Sequence, residues 1–239
     1  MKCEVMGIVN VTPDSFSDGG KYFRPEEAIR RAHNLIDEGA AVVDIGGEST
    51  KPGATPIGWE EEWSRVEPVL RALAQCGTRL SIDTYHPETA ERAVAAGATV
   101  VNCVYAEPAK EMLRFLAKDG IGLVVPASVA EACPQRDGKV DERIYLDPMI
   151  GFGTSRDEDI GLLRSITELS KRGRVLVGAS RKRIVKRLTG EKTPGKDIAG
   201  NITIAVWAAL NRASMVRVHD VRETVQAMKV VECIWNSRQ

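Results

Sequence analysis

A parallel (β/α)8 barrel of the TIM-barrel class is the fold this sequence predicts, on three observations. Its 239 residues suit one such barrel, which typically takes about 250. Eight short runs rich in Val, Ile and Leu alternate with longer amphipathic segments along the whole length. Most runs are continuously apolar rather than alternating, as parallel strands covered on both faces require.

The expected strands are residues 5–10, 41–44, 79–83, 99–102, 122–126, 143–147, 175–179 and 215–219. The first helix opens at Pro25 with Glu26 and Glu27 in its first turn and is stopped by Gly39, the usual start and stop signals. Residues 60–75, 87–96, 109–118, 157–171, 196–212 and 222–235 read as further helices. Between strands five and six, residues 127–141 contain Pro134 and Gly138. That stretch can hold only a stub, so one barrel helix is expected to be shortened or missing. No repeat or linker breaks the pattern, and one domain over residues 1–239 is expected.

Lys+Arg and Asp+Glu are equal at 33 each, so no basic field exists to hold nucleic acid, and any anion site must be built locally. No apolar run is long enough for a transmembrane helix. The opening residues lack the layout of a signal peptide. The five cysteines form no C-x-x-C pair, which argues against a disulfide framework or zinc site. These features together lead us to expect a reduced, cytoplasmic enzyme.

Chemistry in such a barrel collects where strands end and βα loops begin. Here most apolar runs stop on a polar residue: Asn10, Asp44, Asp83, Asn102 and Asp147, with Lys182 after strand seven and Arg217 and His219 in strand eight. Singly, each is most simply a turn former or helix cap. As a set converging on one rim they favour a binding site. Arg217 and His219 are two apart in a strand and face the same side, where two basic groups need an anionic partner. A salt bridge from Arg217 to a nearby Asp is the less favoured alternative. The first loop runs from Asn10 through Asp14, Phe16 and Asp18 to Gly20; its oxygens suit a hard divalent cation, and a plain capped turn is an equal alternative. The second loop, Asp44-Ile-Gly-Gly-Glu-Ser-Thr50-Lys51, has the glycines, hydroxyls and cation that phosphate prefers. His33 and His86 are expected to be surface or capping residues.

The run from Met6 to Gly20, the Asp44-Ile-Gly-Gly-Glu-Ser-Thr50 segment, Ser81-Ile-Asp83-Thr84, Asp147-Pro-Met-Ile-Gly-Phe-Gly153, Ser180-Arg-Lys182 and Arg217-Val-His-Asp-Val221 resemble, in order, the signatures of the dihydropteroate synthase family. The resemblance implies a transferase that joins 6-hydroxymethyl-7,8-dihydropterin diphosphate to p-aminobenzoate with release of pyrophosphate. It implies that Asp83, Asn102, Asp147 and Lys182 hold the pterin. Asn10, Thr50, Arg217 and His219 would cradle the diphosphate, with Mg2+ joining Asn10 to phosphate oxygens. Phe16, Asp18 and Lys51 would belong to loops that close over the site, and Lys182, Arg217 and Asp83 would carry the catalytic burden. A homodimer through late helices is a further implication, for which residues 202–209 are sufficiently apolar. Five features depart from the family pattern: Cys103 replaces an Asp, Lys51 an Arg, Met149 a Gly and Thr154 a Lys, and the segment Val124-Val125-Pro126-Ala127-Ser128 stands where Met-His-Met and a long helix are usual. Two competing readings are a pterin- or folate-binding barrel without this catalysis and a related pterin-dependent methyltransferase. Retention of the anion residues favours the synthase over both.

Overall fold

The computed structural model describes residues 2–12, 25–49, 53–193 and 195–237. Eight parallel strands close a barrel in the order β1 (Glu4–Asn10), β2 (Val42–Gly46), β3 (Arg79–Asp83), β4 (Val100–Asn102), β5 (Gly122–Pro126), β8 (Ile144–Asp147), β9 (Arg174–Val177) and β10 (Met215–Val218), which returns to β1. Helices α1 (Pro25–Asp37), α2 (Trp59–Leu73), α3 (Pro87–Ala95), α4 (Ala106–Met112), α5 (Arg156–Arg164), α6 (Ile166–Arg172), α7 (Arg183–Thr189), α8 (Ile198–Leu210) and α9 (Val221–Asn236) lie between and after them. The TIM-barrel class and the eight strands are as the sequence predicts.

Two apolar cores hold this arrangement. Inside the barrel Met6, Val42, Val100, Val124, Tyr145, Leu176 and Met215 pack together. A larger core fills the space between strands and helices, with Leu35, Ile45, Leu70, Ile82, Leu146 and Ile166 all below 2% exposed. Beneath the inner core, at the N-terminal end of the strands, Glu4 pairs with Arg79 at 2.9 Å and Arg174 at 3.6 Å. Arg174 lies 4.2 Å over the Tyr145 ring. This charged layer closes that end of the barrel.

Where boundaries differ from the sequence reading, the causes are local. β2 runs on through Ile45 to Gly46, which pairs with Asn10 and Asp83. Asp44 therefore sits inside the strand and not at its end. β10 stops at Val218, leaving His219 just beyond it. The expected helix 157–171 breaks at Ser165, whose hydroxyl donates to the Leu162 carbonyl at 2.9 Å and so competes with the helical ladder. The short α7 was not foreseen. The expected gap after strand five is observed: residues 127–132 form a 3-10 turn, followed by the hairpin β6 (Gln135–Arg136) and β7 (Lys139–Val140). Its turn residues Asp137 and Gly138 have φ of 51° and 74°, the pairing a two-residue hairpin loop demands.

Candidate active site

The side chains that rise from the inner face of the barrel above the apolar layer are polar. Alternation along each strand puts Asp44 above Val42, Asn102 above Val100, Asp147 above Tyr145 and Arg217 above Met215. All but Arg217 are buried, and Arg217 is the hub. Its Nε donates to Asp44 at 2.6 Å and one terminal nitrogen to Asp83 at 2.5 Å. Asn102 Nδ2 donates to the same Asp44 oxygen at 3.1 Å. The salt-bridge alternative for Arg217 is thus the observed arrangement, with two partners. Asp44, one of the polar residues that the sequence places at the rim but to which the family resemblance gives no pterin or diphosphate role, links Arg217 to Asn102.

Asp147 and Lys182 form the second half. Asp147 Oδ1 accepts the Met149 N–H at 2.7 Å. Met149 has φ of 65°, a left-handed conformation that costs a side chain about 1–2 kcal/mol. Lys182 Nζ donates to the Ile150 carbonyl at 2.7 Å and lies 4.2 Å over the Phe152 ring. Its stem passes Gly151, where a Cβ would come within 2.9 Å of Lys182 Cδ; glycine makes that passage possible. Thr154, at the position of the usual Lys, donates to Asp159 at 2.5 Å and accepts the Gly151 N–H at 3.0 Å. It therefore stabilises the turn.

Burial dominates the electrostatics. It raises the Asp147 carboxyl above its ordinary range, against the pull of Lys182 and Arg217. Asp83 is likewise pushed up by burial, against Arg217. Lys182 is brought down to about 8 by burial, with Asp147 opposing. Burial also works against the Arg217 charge, yet the Asp44 and Asp83 carboxylates outweigh it. Three carboxylates face two cations here, so the interior suits a neutral ligand that donates hydrogen bonds better than an anion. Asp44 Oδ1, Asn102 Oδ1 and Ser81 Oγ are buried without a partner among the described residues, and buried acceptors of this kind call for donors.

Of the residues that the resemblance assigns to the diphosphate, Asn10 closes β1 opposite Gly46. His219 Nδ1 lies 3.1 Å from Ser180 Oγ, and its carbonyl accepts from Arg31 at 2.7 Å. Two of the three Arg217 nitrogens are engaged by carboxylates, leaving one for an anion. Asp14, Phe16, Asp18, Thr50 and Lys51 lie outside the described residues. Among the described ones no cluster of three or more His, Cys, Asp or Glu could hold a metal. Asn10 offers one oxygen, which fits a cation held mainly by phosphate oxygens and water, the usual habit of Mg2+.

His33 is exposed, as expected. His86 precedes α3, but its side chain does not cap it. Its Nε2 instead lies 3.2 Å from the Ile57 carbonyl and 3.5 Å from Glu48. Cys103, in place of the usual Asp, is buried; its thiol donates to the Tyr105 carbonyl at 3.5 Å, and burial pushes it up to about 12. The shortened strand-five segment leaves a cavity of about 450 Å3 on the flank, lined by Ala127, Ser128, Pro148, Met149, Leu162 and Leu169 with neighbouring polar groups.

The family model for pterin binding enzymes matches residues 6–139 and 130–219. Dihydropteroate synthase of Escherichia coli K12 is 35% identical over 98% of this chain and 93% of its own length. That of Neisseria meningitidis serogroup B is 38% identical with the same coverage. Among solved structures, Xanthomonas albilineans dihydropteroate synthase with 4-aminobenzoic acid superposes with a TM-score of 0.86 at 39% identity, covering 98% of this chain and 93% of that one. The same enzyme in complex with 7,8-dihydropteroate gives 0.82 at 36%, covering 98% and 94%. With this barrel and this ring of polar strand ends, the chain belongs to the pterin-binding enzymes, in the dihydropteroate synthase family.

Proposed function

We infer that this site joins 6-hydroxymethyl-7,8-dihydropterin diphosphate to p-aminobenzoate and releases pyrophosphate, the dihydropteroate synthase reaction of folate biosynthesis. The observation that carries the reading is the set of buried, unpartnered acceptors on Asp44, Asn102 and Ser81 beside Asp147 and Lys182. A pterin presents an amino group and ring N–H donors on one edge and a carbonyl on the other. Asp147 and Asn102 accept from the first; Lys182 donates to the second. A ring lacking that pattern would leave these groups unpaired, so discrimination is strong.

Bond breaking separates pyrophosphate from the exocyclic carbon, and the electron-rich ring stabilises the cation left behind. The arylamine is neutral near pH 7 and attacks that carbon, then gives its proton to solvent or to the departing anion. The protein's work is to fix the ring and to neutralise the leaving group. His219, Asn10 and the third Arg217 nitrogen, with Thr50, are assigned to the leaving group. Bound Mg2+ would supply charge neutralisation at phosphate oxygens near Asn10.

Pyrophosphate release on mixing the pterin diphosphate with p-aminobenzoate, with and without Mg2+, tests the reading. Release that requires both substrates supports it. A folded protein that binds pterin yet releases nothing would turn it to the non-catalytic binding barrel. We place the enzyme in the cytoplasm and as a homodimer. Ile204, Ala205, Ala208 and Ala209 of α8 cover the barrel, while Trp207, Leu210, Val230, Ile234 and Trp235 of α8 and α9 are exposed, an apolar face suited to a second copy. A monomeric mass at micromolar concentration in sedimentation would remove the dimer. No helix among the described residues is long and apolar enough to cross a membrane.

A further inference from the structure

We propose that Asn201, in α8, is a positioning residue that clamps the strained turn carrying both Ser180 and Lys182; the proposal rests on the transferase reading above. After β9 the chain turns through residues 179–182, closed by the Lys182 N–H on the Ala179 carbonyl at 3.1 Å. Arg181 occupies the third position with φ of 59°. Glycine takes that left-handed conformation freely, and a long side chain does so only when its surroundings impose it. Asn201, 5% exposed, imposes it. Its Oδ1 accepts the Arg181 N–H at 2.9 Å. Its Nδ2 faces Asp197 at 3.4 Å and Asp220 at 3.3 Å. Those partners settle the amide's orientation, since only oxygen can take an N–H and only nitrogen can serve carboxylates. The Arg181 guanidinium adds a second tie, to Asp220 at 2.7 Å. Asp220 directly follows His219, so α8, the turn and the end of β10 form one knot.

Both flanks of the clamped peptide enter the chemistry. On one side is Lys182, assigned to the ring carbonyl. On the other is Ser180, whose Oγ accepts the His219 N–H at 3.3 Å. Its hydroxyl also lies 3.1 Å from His219 Nδ1, and in the proposed arrangement its hydrogen is given to that nitrogen. In the neutral imidazole the ring proton then resides on Nε2, a donor suited to a phosphate oxygen. One carboxamide thus governs the place of the pterin lysine and the tautomer of the leaving-group histidine. The other inward residues of α8, Ile204, Ala205, Ala208 and Ala209, are apolar. A residue needed only for packing would be apolar as well.

Asn201→Leu keeps the size and removes the amide. The expected result is a rise of about tenfold in the dissociation constant of 6-hydroxymethylpterin, about the loss of one good hydrogen bond. Pyrophosphate release should slow by about tenfold or more. Arg181→Gly placed in the same chain should recover most of both, because glycine holds the turn without a clamp. Unchanged affinity and turnover in Asn201→Leu would overturn the proposal. So would a drop in thermal stability alone, or a folded double variant no better than the single one. If Asn201→Leu fails to fold, Asn201→Ser carries the same comparison. Pterin affinity is read without turnover, so a wild-type protein that binds pterin but releases no pyrophosphate sinks the transferase reading, and the clamp is then judged on affinity.

Discussion

The two flanks of the barrel mouth are built on opposite plans. On the β9–β10 side, α8 is packed close and Asn201, Asp220 and Arg181 tie turn, helix and strand end together. On the β5–β8 side the covering helix is replaced by a 3-10 turn and a hairpin, and a cavity of about 450 Å3 opens behind Pro148 and Met149. Each flank nevertheless supplies groups to the candidate site: Lys182 and Arg217 from the first, Asp147 from the second. The difference teaches that Asp147 does not depend on a helix behind it. A backbone N–H two residues on and the fields of Lys182 and Arg217 hold it from the inside.

The strongest test of this contrast is Arg217→Ala. It leaves Asp44 and Asp83 buried without their cation, which costs about 3–5 kcal/mol and, in a chain of this size, lowers Tm by roughly 10 °C. Turnover should be lost as well. Although the family resemblance assigns Arg217 to the diphosphate, pterin affinity should suffer too, because Asp83 and Asn102 belong to the same network. A Tm within about 3 °C of wild type by calorimetry would mean that the hub is not the structural centre of the mouth.

Next comes Lys182→Ala, with an expected loss of about 10–100-fold in pterin affinity. Titration calorimetry across pH sharpens it. The ammonium form declines as pH rises through about 8, so affinity should fall on the alkaline side. The carboxylate form of Asp147 is lost as pH falls through its raised value, so affinity should fall on the acid side also. A flat profile would remove Lys182 as the charged donor.

The smallest effect belongs to the open flank. Met149→Gly relieves a left-handed residue while leaving the N–H that Asp147 uses. It should be neutral or stabilising by up to about 1 kcal/mol, with turnover near wild type. A large loss of activity would show that the Met149 side chain supports the site after all.

Much of the architecture was legible because it rests on local pattern. Continuous apolar runs mark the strands, and Pro134 with Gly138 announced the missing helix. The roles within the site were only partly legible. Asp44 reads as a strand end, although the alternation Val42, Asp44, Gly46 carries the sign of an inward residue. The partners of Arg217 lie 134 and 173 positions away, and no spacing rule reaches so far. Asn201 left no trace either, since a buried Asn in a helix looks like any other polar residue until its contacts are seen. α7, at seven residues, is too short for helical periodicity to register.

The layer of Glu4, Arg79 and Arg174 beneath the inner core has a kinetic consequence. It seals the floor, so the barrel is a cup and not a tube. Whatever enters to reach Asn102 and Asp147 must leave by the same opening. A ring lodged deepest is expected to go in first and come out last, so product and incoming pterin are expected to compete for one berth.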